Sequence, residues 1–383
     1  MTTNLIEKIE FEDFGSYVRA RFMNVFYFDI EKELFEKKKG NERKMLFMLS
    51  TGMENLRNGL TNHHTFYISS DSGIPLIGSN SFGIVDRNTS IIEVKPITGC
   101  NLNCIFCSVG EGVSTAKVND FVVEAEYLAD EFARLAEFKD CAVEANINPH
   151  GEPLLYSDLD ILIKGISSVR NVKAISINTN GTLLSKEMID KLCKAGLTRF
   201  NISLNAVEPK TAVKLAGSSY NVAHVTAMAE YIAKNSSAEL LIAPVFVPGV
   251  NDKELPGLIE LAKNLKARIS IQNFLNYRLG RNPVRQMPFE KFYAVLKELE
   301  GKHKIQLIGG DFGITRTKPL PKPFRKGETV RAVIACNGRY KDERIAVAGN
   351  RSIMMQNCIK TTGSQVRVRI TRNKHNIFYG KCV

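Results

Sequence analysis

At 383 residues, 44% apolar and 24% charged, the chain reads as a globular protein of two or three units rather than one. No stretch supplies the roughly 18 uncharged apolar residues of a membrane span, and the opening Met1-Thr-Thr-Asn-Leu-Ile-Glu-Lys lacks the apolar core of a secretory signal, so a cytoplasmic protein with no membrane partner is expected. The net charge of +12 is uneven: residues 311–383 hold 16 basic and 4 acidic residues, which leaves the rest of the chain balanced. That asymmetry fits a polyanion partner for the last segment, or a solvated basic surface without one.

Residues 1–85 are rich in aromatics over 11–28, with the run Phe22-Met-Asn-Val-Phe-Tyr-Phe28, and strongly charged over 31–44, which reads as helix or a solvated excursion. They carry no recognisable chemistry and form an N-terminal accessory region. Residues 86–310 are regular. Strands are expected over 91–96, 141–147, 172–178, 200–204, 238–247, 269–274 and 305–308. Helices are expected over 122–138, 159–169, 186–195, 221–233, 253–265 and 289–300, with Gly196 closing the third. Alternation of this kind implies βαβ units, a parallel sheet and an α/β class, as a partial or full (β/α) barrel. Residues 311–326 read as a linker, stiffened by alternate prolines in Leu320-Pro-Lys-Pro-Phe324. Five short strands are expected over 330–335, 345–347, 352–355, 366–370 and 376–379, with turn glycines and no helix, so residues 327–383 fit a small OB-type β-barrel.

The chemistry concentrates in Gly99-Cys-Asn-Leu-Asn-Cys-Ile-Phe-Cys107. Three thiols on one loop, spaced C-x₃-C-x₂-C, can hold three irons of a cubane and leave the fourth open. Zinc would ask for a fourth Cys or a nearby His, which this loop lacks. Cys141 and Cys193 fall in strand and helix patterns and read as apolar packing. Tyr277-Arg-Leu-Gly-Arg-Asn-Pro-Val-Arg285 is either an anion clamp or a solvated loop.

This cysteine loop, with Phe106 before its last Cys, resembles the signature of the radical S-adenosylmethionine (SAM) superfamily. His150-Gly-Glu-Pro153, Asn178-Thr-Asn-Gly-Thr-Leu183, Ser203-Leu-Asn-Ala206 and Val245-Phe-Val-Pro-Gly-Val-Asn-Asp252 are similar to its later strand ends. The resemblance covers about residues 90–275. It implies a 4Fe–4S cluster on Cys100, Cys104 and Cys107, and SAM bound by Gly151, Glu152, Pro153, Asn178, Asn180, Ser203, Asn205 and Val247. Glu152 meets the amino group, and backbone near Val247 reads adenine. It also implies an electron donor such as ferredoxin or flavodoxin, and reductive SAM cleavage to a 5′-deoxyadenosyl radical. His150 stands where the family has glycine, so its imidazole is a candidate catalytic group beside a structural alternative.

Gly327-Glu-Thr-Val-Arg331, Gly338-Arg-Tyr-Lys-Asp-Glu-Arg-Ile345 and Gly363-Ser-Gln-Val-Arg-Val-Arg-Ile370 resemble a TRAM domain, a β-barrel that binds RNA. That likeness implies an RNA face built from Arg339, Tyr340, Arg367, Arg369, Arg372 and Lys374, and RNA, tRNA foremost, as partner. Cys336, Cys358 and Cys382 are packing residues or ligands of a second cluster. Methylthiotransferases that carry a TRAM domain hold their second cluster in an N-terminal domain, and the first 99 residues here contain no Cys. Three functions stay open: RNA modification, maturation of a peptide, protein or small-molecule cofactor, and RNA binding with a non-catalytic cluster.

Overall fold

The computed structural model describes residues 8–310 and 313–383. Its centre is a seven-stranded sheet in the order Arg268–Ile269, Glu239–Ile242, Arg199–Ile202, Val172–Thr179, Val143–Ile147, Ile91–Lys95, Gly83–Asp86. All neighbours are parallel except the last pair. The order is linear and does not close, so the α/β core is the partial form of the expected barrel. Strand Val143–Ile147 shows how its two faces arise. Val143, Ala145 and Ile147 are buried, while Glu144 and Asn146 alternate with them and are half-buried. On their side Asn146 donates to Ser176 Oγ (2.7 Å) and Asn201 to Asn178 Oδ1 (2.7 Å), a polar ladder across neighbouring strands.

Helix Lys186–Ala195 has the bounds expected from its sequence. Ser185 caps it by accepting from Met188 N–H, and Gly196 ends it at φ 118°, where a side chain would be strained. Its Ile189 and Leu192 are buried, and burial of each is worth about 1.5–3 kcal/mol. The expected strand over 305–308 does not form. Lys304 adopts φ 52°, and the Glu300 carboxylate accepts from the N–H groups of Leu307 and Ile308 (2.6 and 2.7 Å), so no neighbouring strand is needed. The strand expected over 269–274 is two short pieces, Arg268–Ile269 and Gln272–Asn273.

The N-terminal region forms a six-stranded sheet with helices Lys32–Lys38 and Glu42–Met53. The aromatic run supplies its core, with Phe22, Phe26 and Phe28 buried. The charged segment is helical. The sheet is not self-contained: its edge strand Asn119–Val123 comes from beyond the cysteine loop and pairs parallel to His64–Ile68.

Residues 329–382 close a five-stranded barrel of Thr329–Asn337, Arg344–Ala348, Arg351–Met355, Tyr379–Cys382 and Gln365–Arg372. Ile334, Ile353, Met355, Val368, Ile370 and Phe378 fill it, and Phe324 of the proline segment joins them. The last strand starts three residues later than expected, because His375 and Asn376 take left-handed backbone angles (φ 56° and 54°). The barrel is docked on the core: Asn119 Nδ2 donates to Gly338 O (2.7 Å), Val118 N–H to Arg339 O (2.9 Å) and Ser352 Oγ to Pro75 O (2.6 Å).

Candidate active site

Cys100, Cys104 and Cys107 line one cavity of about 420 Å³, together with residues that follow the C-terminal ends of the parallel strands. Their loop is held from three sides. Asn103 and Ile105 N–H groups donate to the carbonyls of Ala216 and Leu215 (2.9 and 3.0 Å), at the end of helix Pro209–Ala216. Arg281 donates from Nη1 to Cys104 O and from its backbone N–H to Cys107 O (both 2.9 Å), so one arginine of the 277–285 loop braces the cysteines. Gly151 approaches from the third side, with φ 152°. A Cβ there would stand 1.9 Å from Gly99 O, so only glycine lets the two backbones meet.

The sulfurs are prepared for a cationic partner. Leu102 N–H donates to Cys100 Sγ (3.4 Å) and Glu111 N–H to Cys107 Sγ (3.3 Å). Burial pushes the Cys104 thiol up to about 12, with the neighbouring Cys107 adding to it, and raises Cys100 as well. Thiols in this position ionise when iron displaces their protons, so three converging cysteines fit a cluster.

Glu152 is 2% exposed and has no cation beside it among the described residues. It accepts from Thr179 Oγ1 (2.6 Å), Asn180 N–H (2.9 Å) and Leu154 N–H (3.1 Å). Burial nevertheless wins and lifts its carboxyl to about 7. A buried carboxylate held in place with no counter-charge is what an ammonium group of a ligand would complete. Pro153, also buried, begins the short 3₁₀ turn that fixes the Glu152 backbone.

Asn178, Asn180, Ser203 and Asn205 line the same cavity. Asn180 donates to Asn101 Oδ1 (2.9 Å), beside Cys100, while Asn205 Oδ1 accepts from Val245 N–H (2.8 Å). Val247 does not reach the cavity. It is fully buried, its N–H donates to Asn251 Oδ1 (2.8 Å), and Val245 lines the wall instead. The sequence reading also missed Thr179, Asn201 and Asn273. Asn273 lines the cavity, and its buried Oδ1 has no hydrogen-bond partner among the described residues. Thr179 and Asn201 sat within or beside the quoted motifs; nothing local marked Asn273.

His150 faces a second cavity, of about 880 Å³, between core and barrel. Burial and the charges of Lys95, Lys117, Arg339 and Arg87 hold its imidazole well below the ordinary value, hence neutral. The His150-Gly-Glu motif thus serves two cavities, Glu152 in one and His150 in the other.

The C-terminal residues divide likewise. Arg367, Arg369, Arg372 and Lys374 are exposed and Tyr340 is half-buried. Arg339 corrects the expected RNA face, being 2% exposed. Its guanidinium bonds Glu111 twice (2.6 and 2.7 Å) and also Asp120 and Thr98, so it is a tie between barrel and core. Cys358 and Cys382 bring their sulfurs to 3.3 Å, whereas Cys336 packs into the core cluster and its thiol is pushed by burial up to about 12.

Comparison with known proteins agrees with this geometry. Residues 94–262 match the model of the Radical SAM superfamily. A protein of Methanocaldococcus jannaschii described only as uncharacterised is 40% identical over 364 residues, 86% of this chain and 83% of that protein. A GTP 3′,8-cyclase of Campylobacter jejuni is 30% identical over 230 residues, 59% of this chain and 67% of the cyclase. Among solved structures, Streptococcus suis SuiB bound to S-adenosylmethionine is 16% identical and covers 79% of this chain and 71% of its own, at a TM-score of 0.43. The chain belongs to the radical SAM superfamily, whose members use a 4Fe–4S cluster and SAM. Among the described residues no helix is long and apolar enough to cross a membrane.

Proposed function

We propose that this protein modifies RNA, tRNA foremost, with its TRAM-like barrel presenting the RNA to the cluster cavity. One observation carries the reading. Arg331 and Arg367 are direct cross-strand partners, Arg369 is two residues on, and all three are exposed. Like charges placed opposite one another destabilise a strand pair, and none of the three has an ion-pair partner among the described residues. A polyphosphate backbone offsets that repulsion.

The cluster and SAM, once bound, supply a 5′-deoxyadenosyl radical by reductive cleavage of the sulfonium. Cys100, Cys104 and Cys107 hold the iron, and Glu152 receives the SAM amino group. Asn178, Asn180, Ser203 and Asn205 orient ribose and carboxylate, while Val245 and its neighbours exclude water. An electron donor of the ferredoxin or flavodoxin type is required. A second reading, maturation of a small molecule, is favoured by the cavity of about 880 Å³ between core and barrel. The test compares modified nucleosides in total RNA, by mass spectrometry, with and without the gene. Loss of one modified nucleoside is expected, and an unchanged profile in every RNA class refutes the proposal.

A further inference from the structure

The cavity between core and barrel shares Ser108, Asn148 and Tyr277 with the cluster cavity, so the two are neighbours across one wall. Its volume of about 880 Å³ lies in the range of small-ligand sites. Six of its lining side chains are basic and two are acidic. Most of that charge is spoken for. Arg87 and Lys95 share Glu93, Lys117 pairs with Glu111, and Arg339 pairs with Glu111 and Asp120. Arg278 of the core and Arg372 of the barrel have no ion pair among the described residues. Both favour the ionised form of the Tyr379 hydroxyl, and the Arg372 guanidinium lies 5.6 Å from the Tyr379 ring centre, so both cations share the cavity with that ring.

A further feature points to a ligand. Three tyrosines, Tyr277, Tyr340 and Tyr379, also line the space, and a phenol ring beside a guanidinium is a stacking platform for a planar base.

We infer that this cavity is the substrate chamber and that it takes a nucleoside phosphate, its phosphate between Arg278 and Arg372 and its base among the tyrosines. The ligand is either a residue of an RNA chain or a free nucleotide, since both present the same chemistry. The inference rests on the neighbouring cavity being the SAM site, and not on the RNA reading. The barrel is then a wall of the active site as well as a docking module.

The test titrates the full-length, cluster-loaded protein with the four nucleoside 5′-monophosphates, with the uncharged nucleosides and with total tRNA. Either the monophosphates or tRNA bind. Arg278→Gln with Arg372→Gln weakens that binding on the order of a hundredfold, about tenfold for each charged hydrogen bond lost, with SAM affinity and thermal midpoint unchanged. Monophosphate binding identifies a free nucleotide, and binding of tRNA alone identifies an RNA residue. The chamber is overturned if neither binds, if nucleosides bind as tightly as monophosphates, or if the double variant binds like the parent. A triple variant, Arg331→Gln, Arg367→Gln and Arg369→Gln, separates the two readings. If it abolishes tRNA binding while the double variant binds tRNA and monophosphates like the parent, the chamber fails and the RNA reading stands. If monophosphate binding depends on Arg278 and Arg372 but no RNA nucleoside changes with the gene, the RNA reading fails and the chamber stands.

Discussion

Replacing Arg339 by methionine keeps most of the side-chain volume and removes one charge from a dry place. Arg339, Glu111 and Asp120 have side chains 3%, 2% and 1% exposed, so water does not screen them. After the change Glu111 still has Lys117 at 2.6 Å, and Asp120 is the carboxylate left without a fixed cation. Asp120 keeps donors from Asn58 (3.0 Å), Thr61 (3.2 Å) and Thr98 (2.8 Å). Burial alone would raise its carboxyl; the nearby His63 imidazole (3.5 Å), the charge of Arg339 and the Thr98 hydroxyl hold it below the ordinary value. Breaking a buried ion pair costs about 3–5 kcal/mol, and the surviving donors place this case near 3. Urea unfolding followed by circular dichroism measures it. Adding Asp120→Asn to Arg339→Met removes the stranded charge and recovers at least about 1 kcal/mol, although Asp120→Asn alone destabilises. A loss under about 1 kcal/mol for Arg339→Met, or no recovery in the double variant, refutes the argument that this guanidinium ties barrel to core.

Glu152, lifted from 4.5 to about 7, binds more protons folded than unfolded between those values. SAM-free protein therefore loses about 3 kcal/mol of stability as pH rises from 4.5 through 7; Glu152→Gln flattens this part of the profile, and an identical slope in parent and variant counts against it. Gly151→Ala, with its Cβ against Gly99 O, costs roughly 3 kcal/mol and lowers iron retained after reconstitution, which a colorimetric iron assay reads. Cys358→Ala with Cys382→Ala leaves the iron content of the reconstituted protein unchanged, because Cys336 lies in a different core cluster from Cys358; a fall by about half would instead reveal a second cluster there.

The parts of the site that the sequence disclosed are those encoded locally. The cysteine spacing, the Gly-Glu-Pro bend and the polar strand ends each lie within a few residues, and all of their named residues except Pro153 and Val247 line one cavity. Val247 differs from Val245 by a register of two, which alternation alone does not settle when both positions are apolar. Helix Pro209–Ala216, whose carbonyls hold the cysteine loop, was overlooked although Pro209 opens it and Gly217 closes it; eight residues are too few for a clear period. Arg339 was misplaced for another reason. Its partners lie far back in the chain, and no local pattern distinguishes an arginine that will be buried from its exposed neighbours in the same basic segment.

That distance sets the order in which the protein can mature. Arg339 answers carboxylates 219 and 228 residues earlier. At about 5–20 residues per second, Asp120 and Glu111 wait on the order of 10 to 40 s on the ribosome before their cation is made. Until then the strand Asn119–Val123 has its N-terminal neighbour but lacks the barrel that caps it, and Glu111, whose N–H reaches Cys107, is held only by Lys117. Pairings of such long range form late. The cysteine loop therefore reaches its final shape only after Arg339 has been made and the barrel has docked on the core.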